Sequence, residues 1–436
     1  MRPLEAFVKK TLLPRHTYIG RLLRRMRSAM QDGRQRGPAY SQPELLARVD
    51  EFNRNAEAYW QAVASEPGAR ATALAKPFTT VADASSILYR LGMVLTELNL
   101  GVGHTVLDLG AGACWLSSCL NRLRCRTISM DVSPKALELG EELFRLDPRQ
   151  RLDLAPRFLA YDGRRFPLAD ESVDRIVCFD AFHHVPNEDE ILAEMFRVLR
   201  RGGRAVFAEP GEGHSHADGS LLEEQRFHVL ENELDLRALA EKAERLGFTD
   251  LLVKPYADAV AVTLSGREYF RFMEGDDRYF PLDTLRRSLR SFYVFILLKG
   301  PESFDSRNPQ VLRAAIEARV AGGVLRGAPR EEVGLEVRLR NTGDTLWLHE
   351  ELPAGGYVRL GGHLLSERGE PVDWDFFRAW LPASVAPGKT VSVQARVRLP
   401  ESAGRHLLHL DLVDEGIAWF EQFGSSVAEV ELLVEF

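Results

Sequence analysis

The segment Val106-Leu107-Asp108-Leu109-Gly110-Ala111-Gly112-Ala113-Cys114-Trp115-Leu116 constrains this chain more than any other. A short apolar run meets two closely spaced glycines and then a helical pattern. Gly110 and Gly112 permit positive φ and a close approach of backbone to a ligand. A helix starting there presents unpaired N–H groups that suit a carboxylate or phosphate. The same alternation continues from Thr105 onward. Apolar runs at Val106–Leu109, Thr127–Met130, Arg157–Ala160, Arg175–Phe179, Arg204–Ala208, Asp250–Val253 and Phe292–Leu298 are separated by helical stretches such as Pro134–Phe144, Asp189–Leu199 and Leu236–Leu246. That pattern predicts a doubly wound, Rossmann-like α/β domain over residues 101–305, with a parallel sheet covered on both faces.

The flanks differ from this core. Residues 41–100 read as a helical cap. Leu45, Val49 and Phe52 share one face, and Trp60 and Lys76-Pro77-Phe78 mark a break before a helix at Ser85–Leu98. After Gly300 a linking helix is expected at Pro309–Ala321, within a 306–325 linker. Strict alternation follows at Val333–Leu339, Val391–Leu399 and Leu408–Leu412. Turns at Asn341-Thr342-Gly343-Asp344, Gly355-Gly356, Pro387-Gly388 and Ser402-Ala403-Gly404 separate these runs. Residues 326–436 therefore read as an all-β sandwich.

Composition excludes several classes. Of the 436 residues, 45% are hydrophobic and 27% charged, which is ordinary for globular chains and unlike disordered, collagenous or coiled-coil ones. No apolar run reaches the roughly 18 residues of a membrane span. No secretory signal is expected. The four cysteines, Cys114, Cys119, Cys125 and Cys178, lack metal-ligand spacing and read as reduced core residues of a cytoplasmic protein. A net charge of −7 argues against a nucleic-acid partner. Residues 1–40 form a basic arm whose only acids are Glu5 and Asp32, with Leu4, Phe7, Leu12, Ile19 and Leu22 interleaved. It reads as a helix resting on anionic headgroups at the inner membrane, or as a solvated or partner-docking arm; Pro14 interrupts its pattern.

About 20 residues beyond the glycine turn, Ile128-Ser129-Met130-Asp131 places an acid at the end of the second strand, where it can accept both ribose hydroxyls. A dinucleotide fingerprint would need a third glycine where this chain has Trp115. The Asp108-x-Gly110-x-Gly112 form instead resembles motif I of the class I S-adenosylmethionine-dependent methyltransferases, of the type 11-like kind. Tyr161-Asp162-Gly163, Asp174–Val185 and Val198–Arg204 resemble their later motifs, although many members carry glycine at the position of Cys114. The resemblance covers about Leu91 to Gly300. It implies a seven-stranded methyltransferase domain with S-adenosyl-L-methionine as cofactor. It implies cofactor contacts from Asp108, Gly110, Ala111, Gly112, Asp131, Val132, Asp162, Gly163, Phe179 and Asp180. Asp131 matches the ribose acid, Asp162 the adenine contact, and Asp180 the methionine end.

A sugar hydroxyl attacking a methyl needs a general base. Candidates at the C-terminal sheet edge are His183, His184 and Glu209, with His183 or His184 preferred and one of that pair expected to be packed. No metal is expected. The alternative is a divalent ion on His214-x-His216, with Glu212 and Asp218 near. Tyr256–Ser291, rich in Tyr269, Phe270, Phe272, Met273, Tyr279 and Phe280, reads as an acceptor lid or a helical cap. The sandwich, with Trp347, Trp374, Trp380, Trp419, Phe376, Phe377, Phe420 and Phe423, resembles modules appended to proteins of bacterial surface-polysaccharide assembly. That resemblance implies stacking on sugar rings, with core filling as the plainer reading. The expected function is methyl transfer to a hydroxyl of a surface polysaccharide, such as lipopolysaccharide, or of its lipid-linked precursor. The expected partners are that glycan and, through the sandwich, a glycosyltransferase or a second copy. The alternatives are a small-molecule or lipid methyltransferase, and a non-catalytic glycan-binding scaffold.

Overall fold

The computed structural model describes residues 40–254, 264–279 and 282–436. The basic arm lies outside these residues. Helices α1 (Gln42–Ala47), α2 (Val49–Ser65), α3 (Pro67–Ala75) and α4 (Val81–Leu98) form the N-terminal cap. Leu45, Val49 and Phe52 are buried. Trp60 lies inside α2 and does not mark a break. One break comes at Glu66, whose carboxylate accepts the Gly68 and Ala69 N–H groups, with Pro67 opening α3, and Lys76-Pro77-Phe78 lies in the second break, between α3 and α4.

The central domain continues with β1 (Thr105–Leu109), α5 (Trp115–Arg122), β2 (Arg126–Asp131), α6 (Pro134–Leu146), β3 (Arg157–Ala160), β4 (Val173–Phe179), α7 (Glu188–Val198), β5 (Leu199–Pro210), α8 (Asp218–Phe227), α9 (Leu236–Leu246), β6 (Asp250–Lys254), α10 (Gly266–Met273), α11 (Leu282–Ser291) and β7 (Phe292–Leu298). The sheet order is β3-β2-β1-β4-β5-β7-β6. Its core is one apolar layer on each face. Leu107, Leu109, Ile176 and Phe207 lie on one side, and Val106, Val177, Val206 and Ile296 on the other. β7 runs antiparallel between β5 and β6, so the sheet is parallel-rich rather than wholly parallel. A run that is buried on both faces carries no directional signal, which is why sequence alone read it as parallel.

The C-terminal domain comprises β8 (Ala314–Arg319), β9 (Val324–Gly327), β10 (Glu332–Asn341), β11 (Val358–Ser366), β12 (Pro371–Trp380), β13 (Thr390–Arg398), β14 (Gly404–Asp414), β15 (Ala418–Trp419) and β16 (Ala428–Val434). A sheet β13-β10-β8 faces a sheet β12-β11-β14-β16-β9 across a core that includes Leu335, Val337, Trp347, Leu410 and Phe420. The expected linking helix at 309–321 is instead strand β8, paired antiparallel with β10. Its alternation of Ala314, Ile316 and Ala318 with Ala315, Glu317 and Arg319 is period 2. Alanine-rich composition made it resemble a helix. The two domains are tied by Arg307, whose guanidinium donates two hydrogen bonds to Asp174, at 2.9 and 2.8 Å. Burial would raise the Asp174 carboxyl, but Arg307 holds it well below the usual carboxylate range. The four cysteines are free thiols, as expected. Among the described residues no helix is long and apolar enough to cross a membrane.

Candidate active site

A cavity of about 580 Å³ opens at the C-terminal edge of β1, β2 and β4, within the range of small-molecule sites. Its floor is the glycine turn. Gly110 and Gly112 have φ of +69° and +51°. A methyl on Gly110 would lie 2.5 Å from the Ala181 Cβ, and one on Gly112 would lie 2.8 Å from the Trp60 indole. The turn is thus pressed between the loop after β4 and helix α2, and only glycine fits. Cys114 caps α5 with φ +58°, the conformation that glycine adopts without cost.

Asp131, at the end of β2, lines the cavity. Its Oδ2 accepts the Gly112 N–H and its Oδ1 the Ser133 N–H, both at 2.8 Å. Burial raises its carboxyl above the usual range despite those bonds. Val132, Gly163 and Asp180 also line the cavity. Asp180 is paired with Arg90 at 2.6 Å, and Lys76 stands in the same wall.

Four residues expected to touch the cofactor lie outside the lining. Asp108 turns inward, and its Oδ2 accepts the Ser117 N–H and hydroxyl at 3.0 and 2.7 Å. Burial pushes its carboxyl up to about 6. It holds α5 against β1 and acts through the turn. Ala111 is buried beneath the turn. Phe179 packs edge-on against Trp115. Asp162 is exposed, and its Oδ1 accepts the Arg164 and Arg165 N–H groups.

The base candidates separate clearly. Glu209 is fully buried and accepts N–H groups of Ala181, Phe182 and His183, besides lying 2.7 Å from His183 Nδ1. It positions the loop and does not line the cavity. Burial opposes charge on His183, but Glu209, and behind it Glu231, raise its pKa above the ordinary histidine value. His184 differs. Its Nδ1 lies 2.6 Å from the Leu230 carbonyl oxygen, which only accepts, so Nδ1 carries the proton and Nε2 the lone pair. Burial pushes its pKa down to about 4, so the ring is neutral near pH 7. Its side chain is 34% exposed, against 4% for His183.

Sequence reasoning missed the roof. Phe52, Asn53, Ala56, Tyr59 and Trp60 project from one face of α2 into the cavity, and Asn53 bonds the Asp162 carbonyl at 2.8 Å. Their i, i+3/i+4 spacing was visible, but nothing local says that an apolar helix face covers a ligand. Ser220 and Glu223 of α8 and the irregular segment Val229–Glu231 close the other side. In the 256–291 segment, the described helix α10 exposes Tyr269, Phe270 and Met273, and none of them lines the cavity. Residues 255–263 and 280–281, Phe280 among them, lie outside the described residues.

The two histidines of His214-x-His216 are placed differently. His214 Nε2 meets Glu231 Oε2 at 2.7 Å, and His216 does not line the cavity. Ligand atoms of His183, His184 and Glu231 lie within 4.8 Å of one another, close enough to share an ion. The remaining donor set fits S-adenosylmethionine. It offers a buried carboxylate at the ribose position, N–H groups of a glycine turn, Asp180 beside Lys76 for an amino-acid end, and aromatic walls from Phe52, Trp60 and Tyr161.

Residues 107–207 match the family described as a methyltransferase domain. The methyltransferase GfsG of Streptomyces halstedii is 36% identical over 138 residues, 29% of this chain and 48% of that protein. An uncharacterized methyltransferase, GK2543, of Geobacillus kaustophilus is 30% identical over 175 residues, 36% of this chain and 74% of that protein. The mitochondrial ubiquinone biosynthesis O-methyltransferase of Schizosaccharomyces pombe is 26% identical over 160 residues, 37% of this chain and 53% of that protein. The chain spans about half the length of the first of these relatives. With the glycine turn, the Asp131 carboxylate and a matching core all in place, the chain belongs to the S-adenosylmethionine-dependent methyltransferase family.

Proposed function

We propose that this protein transfers a methyl group from S-adenosylmethionine to a hydroxyl of a surface-glycan sugar, free or lipid-linked. The observation that carries the reading is one cavity holding Asp131 on one wall and a neutral, outward-facing His184 on another. When bound, the cofactor supplies an electrophilic sulfonium methyl, so the protein's task is alignment and proton removal. Asp131 and the Gly110–Gly112 turn would hold the nucleoside, and Asp180 with Lys76 the charged amino-acid end. His184 Nε2, with its lone pair free, would take the proton of an acceptor hydroxyl placed in line with that methyl. Glu231 Oε1, 3.6 Å from His184 Nδ1, steadies the resulting imidazolium. The buried His183–Glu209 pair fixes the loop that presents His184.

The glycan half draws support from the sandwich. Trp347, Phe377 and Phe420 fill its core, but Trp374 and Trp380 are 48% and 47% exposed. The Arg359 guanidinium stacks over Trp380 at 4.4 Å. Aromatic faces flanked by hydrogen-bonding charges suit sugar rings. The basic arm would then keep the enzyme at the inner leaflet. A second reading, a small hydroxylated acceptor, is favoured by the roofed cavity, which must hold cofactor and acceptor together.

The test is transfer of labelled methyl by the full chain to glycans and to small hydroxylated compounds. His184→Gln should lower kcat about 10²–10⁴-fold with cofactor affinity unchanged. Asp131→Ala should weaken S-adenosylhomocysteine binding by ~1.5–3 kcal/mol. Product from small acceptors but never from glycans would remove the glycan half. Absence of cofactor binding in folded protein would remove the whole reading.

A further inference from the structure

We propose that the outer face of the larger sandwich sheet carries a divalent-cation site of the Zn²⁺ type, built from His363, Asp411 and Glu421. His363 lies on β11, and its register partner on β14 is His409, two residues before Asp411. Alternation along a strand therefore puts His363 and Asp411 on one face. Glu421 comes from the short 3₁₀ turn Phe420–Phe423 that follows β15. One ligand atom from each residue lies within 4.8 Å of the other two.

The second observation is what these residues leave unpaired. His363 is 1% exposed and Asp411 0%, yet His363 Nε2 and Asp411 Oδ1 have no hydrogen-bond partner. Buried polar atoms are rarely left so, and an unpaired pair facing a third ligand points to an ion. Their other atoms are engaged in the way a metal site requires. His363 Nδ1 donates to the Trp374 carbonyl, which leaves a lone pair on Nε2. Asp411 Oδ2 accepts the Glu421 N–H at 3.0 Å, fixing the carboxylate and the turn together. The imidazole is held between Trp374 and Trp419, with ring centroids 3.9 and 4.1 Å away.

One neutral nitrogen and two carboxylates neutralise a dication, and this nitrogen–oxygen set is the kind that Zn²⁺ takes. Three protein ligands leave a fourth position open. Glu421, whose side chain is 29% exposed, gives the ion its way in from solvent. Bound there, the ion fastens the Phe420–Phe423 turn to the sheet beneath the exposed Trp374. The site lies in the sandwich, apart from the cavity, and does not depend on the methyl-transfer reading.

The experiment uses the full chain stripped with EDTA and titrated with Zn²⁺ by calorimetry at pH 7.5. One tight site per chain is expected, also in Glu231→Gln, which disables the cation-accessible cluster of the cavity. Glu421→Gln and His363→Gln should each weaken that site more than about tenfold. Zinc-edge absorption should show one imidazole nitrogen among oxygens. Glu421 sits in a surface turn, so its variant keeps the test valid if His363→Gln fails to fold. No Zn²⁺ binding, unchanged binding in Glu421→Gln, or binding lost in His409→Gln instead would overturn the assignment.

Discussion

At the residue scale, burial and hydrogen bonding divide labour between side chains that look equivalent in sequence. His183 and His184 are adjacent, yet one faces a buried carboxylate and the other a backbone carbonyl. Removing Glu209 would strip the Ala181, Phe182 and His183 donors of their acceptor in a fully buried place. Glu209→Ala should therefore cost about 3–5 kcal/mol of stability, read by urea unfolding. His184 makes a pH prediction. Its folded pKa, about 4, lies below the ordinary histidine value of roughly 6.5, so the unfolded chain binds the proton more readily. Its contribution is complete above pH ~6.5 and declines as pH falls toward 4. Stability measured from pH 7 to 5 should fall less steeply in His184→Gln. The methyl-transfer rate should show no acid limb near pH 6.5 from this group.

At the element scale, the glycine turn and helix α2 form one unit. The Gly112 Cα faces the Trp60 indole, so Gly112→Ala meets both a 2.8 Å contact and an unfavourable φ of +51°. That variant should bind S-adenosylhomocysteine at least tenfold more weakly, ~1.4 kcal/mol, in calorimetry. Trp60→Ala should weaken binding in the same direction while leaving the turn itself unstrained. The turn was legible because φ > 0 and close approach demand glycine. The roof was not, because an amphipathic helix face looks the same over a ligand as over a core. β8 shows the opposite failure: a run of alanines suited a helix, and pairing with β10 decided for a strand.

At the scale of the whole molecule, the joint between the two domains rests on Arg307 and Asp174. Both are largely buried, with side chains 11% and 6% exposed. Asp174 also receives Arg200 and the Thr105 N–H, so Arg307→Ala leaves it partly satisfied. A loss of about 3 kcal/mol and a separation of the unfolding into two transitions are expected in a guanidinium titration. Because the Asp174 carboxyl is held below its ordinary value, this contribution is present above pH ~4 and lost only as pH falls further.

The amino-acid sequence by itself determined the alternation of strands and helices in the central domain, the glycine turn, the acid at the end of the second strand and the change to a sandwich. Each of these is a local requirement: a period, a positive φ or an acid at fixed spacing. Tertiary structure alone decided that β7 runs antiparallel, that Asp108 and Glu209 face inward, and that α2 roofs the cavity. It also decided which histidine keeps a free lone pair. These depend on which distant group lies within hydrogen-bond reach, about 3 Å, and that distance is set by packing rather than by neighbours in the chain.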